Sequence, residues 1–427
     1  MGSVLSMPGV LSFAEALEIV AARAAQLAQN KPAIESVALR HAAGRVLATP
    51  LRADCDQPPF ARSTRDGFAC RAAEASKHHP LVVAGATRAG QPAAGPLPPG
   101  AAWEIMTGAP VPRGADAVLM IEHVATTGEP SAPWIRLVPP RTIEPGENIV
   151  ARGAQARKGE VLLSAGTGIG SAQVALSASC GYAVLKVFAK PRVAILCTGD
   201  ELVPIKSKPA AGQIRNSSSA MLATMVAAAG GIPWVLPVAR DTAKSLDAAL
   251  ARAVMADLLL ITGGVSAGKF DLVEPALARM GARFHFTGVR MQPGKPLVFG
   301  ELPKRATRTV KRQNGAKYFF GLPGNPVSSA VTFALFAVPV LRALAGSNDR
   351  APRFALARLA EDVKTKPGLT RFLPALCTFA GAIPEVVPVP WHGSGDLAAM
   401  AKANCFLVVP DDAEHIAAGA AVRLLLS

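Results

Sequence analysis

The stretch LLLITGGVSAGKFD, Leu258 to Asp271, decides the fold. Its first five residues are a short apolar run of the kind that forms a strand buried on both faces, and two glycines end it abruptly. Glycines at a strand's carboxyl end permit tight turns. They also let backbone N–H groups approach and point at an anion. The segments around it repeat the pattern: PRVAILCT reads as a strand, SAMLATMVAAAGG as a helix ending at Gly230, IPWVLPVA as a strand and SLDAALARAVMA as a helix. Alternation of this kind from Lys190 to about Ser347 predicts βαβ units on a parallel sheet with helices on both faces.

The flanking sequence has a different texture. SFAEALEIVAARAAQLAQ, residues 12–29, places Ser12 and Glu15 in capping-box spacing ahead of an apolar helical face. From about 53 to 153, short β-type runs such as LVVAG and AVLMIEHV alternate with Pro and Gly clusters, which reads as an all-β domain. An Ala-rich, helical texture is expected over about 154–181, and residues 350–427 read as a second small β domain with turns at HGSGD and DDAEH.

A chain of 427 residues, half of them apolar, exceeds one compact core and implies several domains. The net charge of +15 comes from dispersed basic residues apart from KRATRTVKR at 304–312, and only 5% of residues are aromatic. That balance argues against nucleic acid and suits an anionic small molecule; the basic run reads as a solvated hairpin tip. The six cysteines form no C-x-x-C pair, so free thiols and no structural zinc are expected. No apolar run reaches the roughly 18 uninterrupted residues a membrane helix needs, VSSAVTFALFAVPVLRAL reads as too short for a membrane and as core, and the absence of a basic and apolar leader points to the cytoplasm. Met1-Gly2 with Ser6 matches a myristoylation pattern too short to carry weight.

Three loops fall at the carboxyl ends of the expected parallel strands, where open α/β sheets bind ligands: CTGDEL at 197–202, TGGVSAGKFD at 262–271 and GLPGNPVSS at 321–329. Asp200, Glu201, Asp241 and Asp271 all lie at or just past strand ends. So many carboxylates together call for a cation, and magnesium shared with substrate phosphates has this form. Taken singly, each has the alternative reading of a helix N-cap, Asp271 for LVEPALARM in particular. Asn325-Pro326, stiffened by Pro323, reads as the N-cap and first turn of the apolar helix VSSAVTFALFAVPVLRAL. Lys295 in MQPGKP is a candidate phosphate contact. In the β region, Asp66 in PPFARSTRDGFA and Thr107 in IMTGAP form a second cluster.

Together these motifs resemble the molybdopterin molybdenumtransferase family, the MoeA and gephyrin E-domain group. The resemblance rests on PPF-x-x-S-x-x-DGFA at 58–69, IMTGAPVPRGADAV at 105–118, GEN at 146–148, CTGDEL, GGVSAGKFD, QPGKP at 292–296, GLPGNPVS, and HGSGDL with AN at 392–404. It implies a multi-domain α/β plus β homodimer with a central Rossmann-like domain of molybdopterin-binding type at 183–347. A helical linking domain would occupy 12–52 and 154–182, interrupted by an inserted β domain at 53–153, with a C-terminal β domain at 350–427. The implied reaction takes adenylylated molybdopterin and molybdate with Mg2+, cleaves the pyrophosphate link, releases AMP and leaves molybdenum cofactor. Implied partners are the molybdopterin adenylyltransferase and apo-molybdoenzymes.

Carried over residue by residue, the resemblance gives catalytic roles to Asp66, Thr107, Glu201, Asp241 and Asp271, the last three also as metal ligands. Asp66 and Thr107 would come from the other subunit. Thr198, Gly199, Gly263, Gly264, Ser266 and Gly268 would cradle pterin and phosphate, Ser266 as a donor, with Lys295, Pro323, Gly324, Asn325, Pro326 and Ser328 completing the binding surface. The sequence departs from the family at Val150, Gln155 and Ser218, where an arginine, an aspartate and an asparagine are usual, and at Gln292, where a basic residue is common. Losing the first two charges leaves a second reading open, a molybdopterin-binding or scaffolding paralogue with reduced catalysis. An adenylyltransferase would explain the α/β domain but neither β domain.

Overall fold

The computed structural model describes residues 9–92, 95–129, 132–264, 272–303 and 317–426. Ser266, Gly268, Asp271 and the basic run 304–312 lie outside the described residues. The chain divides into two units, Met1–Ala48 with Gly166–Gly170 and Val184–Ser427, and Thr49–Ala165 with Ser171–Ala183.

In the first unit a six-stranded sheet runs in the order Ile232–Val235, Arg192–Cys197, Leu258–Thr262, Lys317–Leu322, Val298–Leu302, Arg283–Phe286. The first four strands are parallel, and all five residues of Leu258–Thr262 are buried. The last two strands are antiparallel to their neighbours, so the sheet is mixed rather than wholly parallel. Val298–Leu302 and Lys317–Leu322 follow one another among the described strands, and an antiparallel pair needs no crossover connection. The chain leaves Arg192–Cys197 toward one edge and then returns across it to Leu258–Thr262. That reversal opens a crevice at the carboxyl ends of those two strands.

Both faces of the sheet are covered. On one lie helices Ala243–Ala253 and Val273–Arg279 with Leu246, Leu250 and Leu277 buried. On the other lie Ser217–Ala228, the apolar helix beginning at Pro326, and Phe13–Leu27. Phe299 and Phe320 stack with centroids 4.5 Å apart at the centre of that layer. The capping box forms as the sequence predicts: Glu15 N–H donates to Ser12 Oγ, and Ser12 N–H donates to Glu15 Oε2. Ala16, Val20 and Ala24, at four-residue spacing, face the core.

The helix from Pro326 to Leu344 has 19 residues and a mean hydropathy of 1.8, so its length alone does not exclude a membrane span. Burial settles the matter, because 83% of its most apolar window is covered by the protein, as befits a core helix. A π turn at Phe333–Ala337 interrupts it. Pro339 lacks an N–H and its ring crowds the carbonyl four residues earlier, which accounts for the widened turn.

The C-terminal strands Phe354–Leu359, Thr370–Thr378, Glu385–Pro388, Cys405–Val409 and Ala421–Leu426 pair in a closed circuit, a small barrel. A two-residue strand, Met291–Gln292, pairs in parallel with Thr370 and Arg371 and ties the α/β layer to this barrel.

The second unit contains a six-stranded sheet ordered Ala117–Met120, Gly67–Cys70, Ala101–Ile105, Leu81–Thr87, Ala132–Leu137, Val124–Glu129. A Cβ at Gly67 would lie 1.8 Å from the Leu119 carbonyl oxygen, so strand pairing requires the glycine of the DGFA motif. The helical texture expected over 154–181 is confined to Ser171–Ser179, and Val161–Leu163 instead pairs with Leu51–Arg52. Gly159 and Gly166, both at positive φ, make the turns that flank this strand.

Candidate functional site

At the crevice of the α/β sheet lies a cleft of about 730 Å³. Thr198, Glu201, Gly263 and Lys295 line it, as do Pro323, Gly324, Asn325, Pro326 and Ser328. All were expected from sequence. Gly199 and Gly264 sit in the same loops without lining the cleft.

Close packing of the three loops explains the glycines. A Cβ at Gly263 would come within 2.5 Å of the Thr198 carbonyl oxygen, and its φ of +90 disfavours a side chain independently. Gly263 is therefore required by the neighbouring strand end, in keeping with the tight-turn reading of the strand-end glycines. A Cβ at Gly324 would rest 3.5 Å from Gly263 Cα, so the third loop lies directly on the second. Thr262 Oγ1 donates to the Pro323 carbonyl at 3.0 Å, and Ser329 Oγ donates to the same oxygen, which fastens the loops together. Thr198 is 5% exposed, yet its Oγ1 has no hydrogen-bond partner among the described residues. A buried hydroxyl left without a partner on a cleft wall is a vacant hydrogen-bonding position.

Two helix N-termini also meet the cleft. Ser217 and Ser218 open the Ser217–Ala228 helix, whose N-cap Asn216 accepts from Ser219 N–H at 3.0 Å. At the second helix Asn325 occupies the N-cap position without capping through its side chain. Its Nδ2 instead donates to Ser394 Oγ at 2.7 Å, while Val327 N–H donates to the Ser394 carbonyl at 3.1 Å. The HGSGD turn thus takes over part of the capping, and Ser394 and Trp391 of that region line the cleft. Helix N-termini carry partial positive charge and favour anions.

The side-chain charges agree. Arg215 lines the cleft, and its Nε donates to the carbonyls of Ile205 and Ser207 at 3.0 and 3.1 Å. Among the described residues neither Arg215 nor Lys295 forms an ion pair, and neither does Glu201, the carboxylate lining the cleft. Cys197 also lines it, but burial pushes its thiol up to about 11, so it stays protonated at neutral pH and is no nucleophile.

Asp241 does not line the cleft. It faces Asp200, each accepting from the other's N–H at 3.4 Å, with Arg240 3.9 Å from Asp200. Among the described residues no three His, Cys, Asp or Glu side chains gather as a metal-binding group.

In the second unit Asp66 and Thr107 are brought together. Thr107 N–H and Oγ1 both donate to Asp66 Oδ1, at 2.6 and 2.9 Å, and these bonds, the backbone one foremost, hold the carboxyl below the usual carboxylate range. Val150 pairs with Arg62, and Gln155 N–H donates to the Gln57 carbonyl. Arg152, two residues beyond Val150, donates through Nε to Asp56 Oδ2 at 2.8 Å, and Lys158 N–H donates to Asp56 Oδ1 at 3.0 Å.

Sequence reasoning missed Arg215, Ser217 and Trp391 of the cleft. HGSGD was legible as a turn, but nothing in its spacing linked Ser394 to Asn325.

Comparison with known proteins adds three consecutive family matches. The MoeA N-terminal region (domain I and II) matches residues 11–181, a probable molybdopterin binding domain matches 194–343, and the MoeA C-terminal region (domain IV) matches 356–426. The molybdopterin molybdenumtransferase of Bacillus subtilis is 35% identical over 404 residues, covering 93% of this chain and 91% of its own. That of a Nostoc species is 33% identical over 399 residues, covering 92% and 88%. A crystal structure of a molybdopterin biosynthesis MoeA protein from Pyrococcus horikoshii OT3 superposes with a TM-score of 0.76 at 29% identity, covering 98% of this chain and 100% of that one.

Proposed function

The chain belongs to the molybdopterin molybdenumtransferase family, and we propose that it inserts molybdate into adenylylated molybdopterin, cleaving the pyrophosphate link and releasing AMP and molybdenum cofactor. The observation that carries this reading is the character of the cleft. Two helix N-termini, the Thr198 hydroxyl, the cations Arg215 and Lys295 and the carboxylate of Glu201 line the same cleft, and among the described residues Thr198 Oγ1 has no hydrogen-bond partner and Glu201 no ion pair. A polyanion with one bond to be broken fits such a set.

In this reading Thr198 Oγ1 donates to a phosphate oxygen, and the N–H groups of Ser217 and Ser218 with Lys295 stabilise the negative charge that builds on the pyrophosphate. Glu201 accepts the proton of the water that attacks the link. Gly263 and Gly324 hold the loops close enough for these groups to converge. Magnesium would be held by Glu201, Asp241 and Asp271 together with substrate phosphates, and would supply charge neutralisation at the pyrophosphate. Of these three, Glu201 lines the cleft, Asp241 faces Asp200, which precedes Glu201 in sequence, and Asp271 lies outside the described residues. Asp66 and Thr107 are assigned to the same chemistry from the other subunit of a homodimer. We retain the four-part division at 12–52 with 154–182, 53–153, 183–347 and 350–427, a cytoplasmic location, and the adenylyltransferase and apo-molybdoenzymes as partners.

The scaffolding alternative rests on Val150 and Gln155. The Arg152–Asp56 ion pair leaves that turn with one arginine and one acid, which favours the transferase.

Converting Glu201 to Gln keeps the shape and removes the proton acceptor. AMP release is expected to fall by roughly a hundredfold or more, the range of general acid–base contributions, with the melting temperature unchanged. Wild-type AMP release from that variant would contradict the role of Glu201.

A further inference from the structure

The short strand Met291–Gln292 carries a consequence for the barrel it joins. Gln292 is in register with Arg371, and Arg371 Nε donates to Gln292 Oε1 at 3.0 Å. Arg371 Nη1 donates to the Leu369 carbonyl at 3.1 Å. Both acceptors, Gln292 and Leu369, line the cleft, so the half-buried guanidinium is held between two residues of its wall.

Both acceptors are also neutral, and among the described residues Arg371 forms no ion pair. Its charge is therefore uncompensated, and two N–H groups are spent on orientation while the planar fork keeps others for a ligand. Arg371 itself is not among the lining residues; the arginine that does line the cleft, Arg215, is held in the same manner, by the carbonyls of Ile205 and Ser207. Lys295 follows Gln292 by three residues and lines the same cleft.

We propose that Arg371, held by Gln292 and Leu369 of the cleft wall, contributes its positive charge to binding the pyrophosphate of the substrate. Gln292 acts here as a positioning residue. Its amide oxygen orients the guanidinium without cancelling its charge, which a carboxylate at that position would do. The proposal rests on the cleft's assignment to a pyrophosphate-containing substrate.

The test uses the full-length protein and inorganic pyrophosphate, titrated calorimetrically at two salt concentrations, alongside AMP release from adenylylated molybdopterin. Arg371→Ala is expected to weaken pyrophosphate binding roughly tenfold or more, the scale of one charge-assisted hydrogen bond, and to flatten its salt dependence. Arg371→Lys should retain part of the affinity. Gln292→Glu, which neutralises Arg371 in place, should match the alanine variant and raise KM for adenylylated molybdopterin with kcat little changed, a split that mere destabilisation would not give. Wild-type pyrophosphate affinity in both Arg371→Ala and Gln292→Glu, with melting temperatures preserved, would overturn the proposal. Should Arg371→Ala fail to fold, Arg371→Gln decides in its place, because Gln292→Glu also adds a negative charge to the cleft wall. Absence of AMP release from the wild-type protein would remove the functional reading, and the pyrophosphate titration would still decide the role of Arg371.

Discussion

Thr107 makes two donations to a single oxygen of Asp66, from N–H at 2.6 Å and from Oγ1 at 2.9 Å. Both favour the ionised carboxylate, so the folded pKa of Asp66 lies below its ordinary value. The stabilisation is present above the unfolded value of about 3.9 and is lost as pH falls through the lower folded value. Thr107→Val removes one donor and keeps the backbone one. The carboxyl pKa, followed by NMR, should rise part of the way back, and an unchanged value would show that the hydroxyl contributes nothing.

Gly263→Ala should be disruptive although the residue added is small. Its Cβ would stand 2.5 Å from a backbone oxygen, at a φ of +90. A cost of roughly 1–3 kcal/mol is expected, with weakened pyrophosphate binding because the Thr198 loop must move. Thermal denaturation and calorimetry read the two effects separately, and an alanine variant with wild-type values of both would refute the close approach.

Asn325 and Ser394 should be energetically coupled. Their side-chain hydrogen bond of 2.7 Å joins the third loop to the HGSGD turn, while the Val327 N–H bond to the Ser394 carbonyl survives alanine substitution. A double-mutant cycle with Asn325→Ala and Ser394→Ala is expected to give about 0.5–1 kcal/mol of coupling. Additive effects would remove the link.

Cys197 lies in the cleft wall but should be chemically silent. With its thiol pushed up to about 11 by burial, iodoacetamide at neutral pH is expected to leave it unmodified, and Cys197→Ser should keep AMP release. Rapid alkylation of Cys197 in the folded protein would contradict its burial.

The sequence makes the elements that depend on short-range pattern legible. Alternating apolar runs and glycines identify the α/β layer, Ser12 and Glu15 fix the start of the first helix, and the strand-end loops locate most of the cleft. Long-range relationships are less visible. The pairing of Gln292 with Arg371 joins residues 79 positions apart through a two-residue strand that leaves no periodic signal. The constraint on Gly263 comes from the carbonyl of Thr198, a partner that composition cannot name. Asp66 and Thr107 could be read as candidates in similar loops, but their contact depends on the pairing of Gly67–Cys70 with Ala101–Ile105. The antiparallel edge of the sheet has no signal in the apolar pattern, which is the same for either strand direction.

The most direct measurement is AMP release by the purified protein from adenylylated molybdopterin, with and without molybdate and magnesium, coupled to activation of an apo-molybdoenzyme. Magnesium-dependent AMP release that molybdate stimulates is expected, with active enzyme as the product. Tight binding of adenylylated molybdopterin with neither AMP release nor activation would contradict it and leave a binding protein in its place.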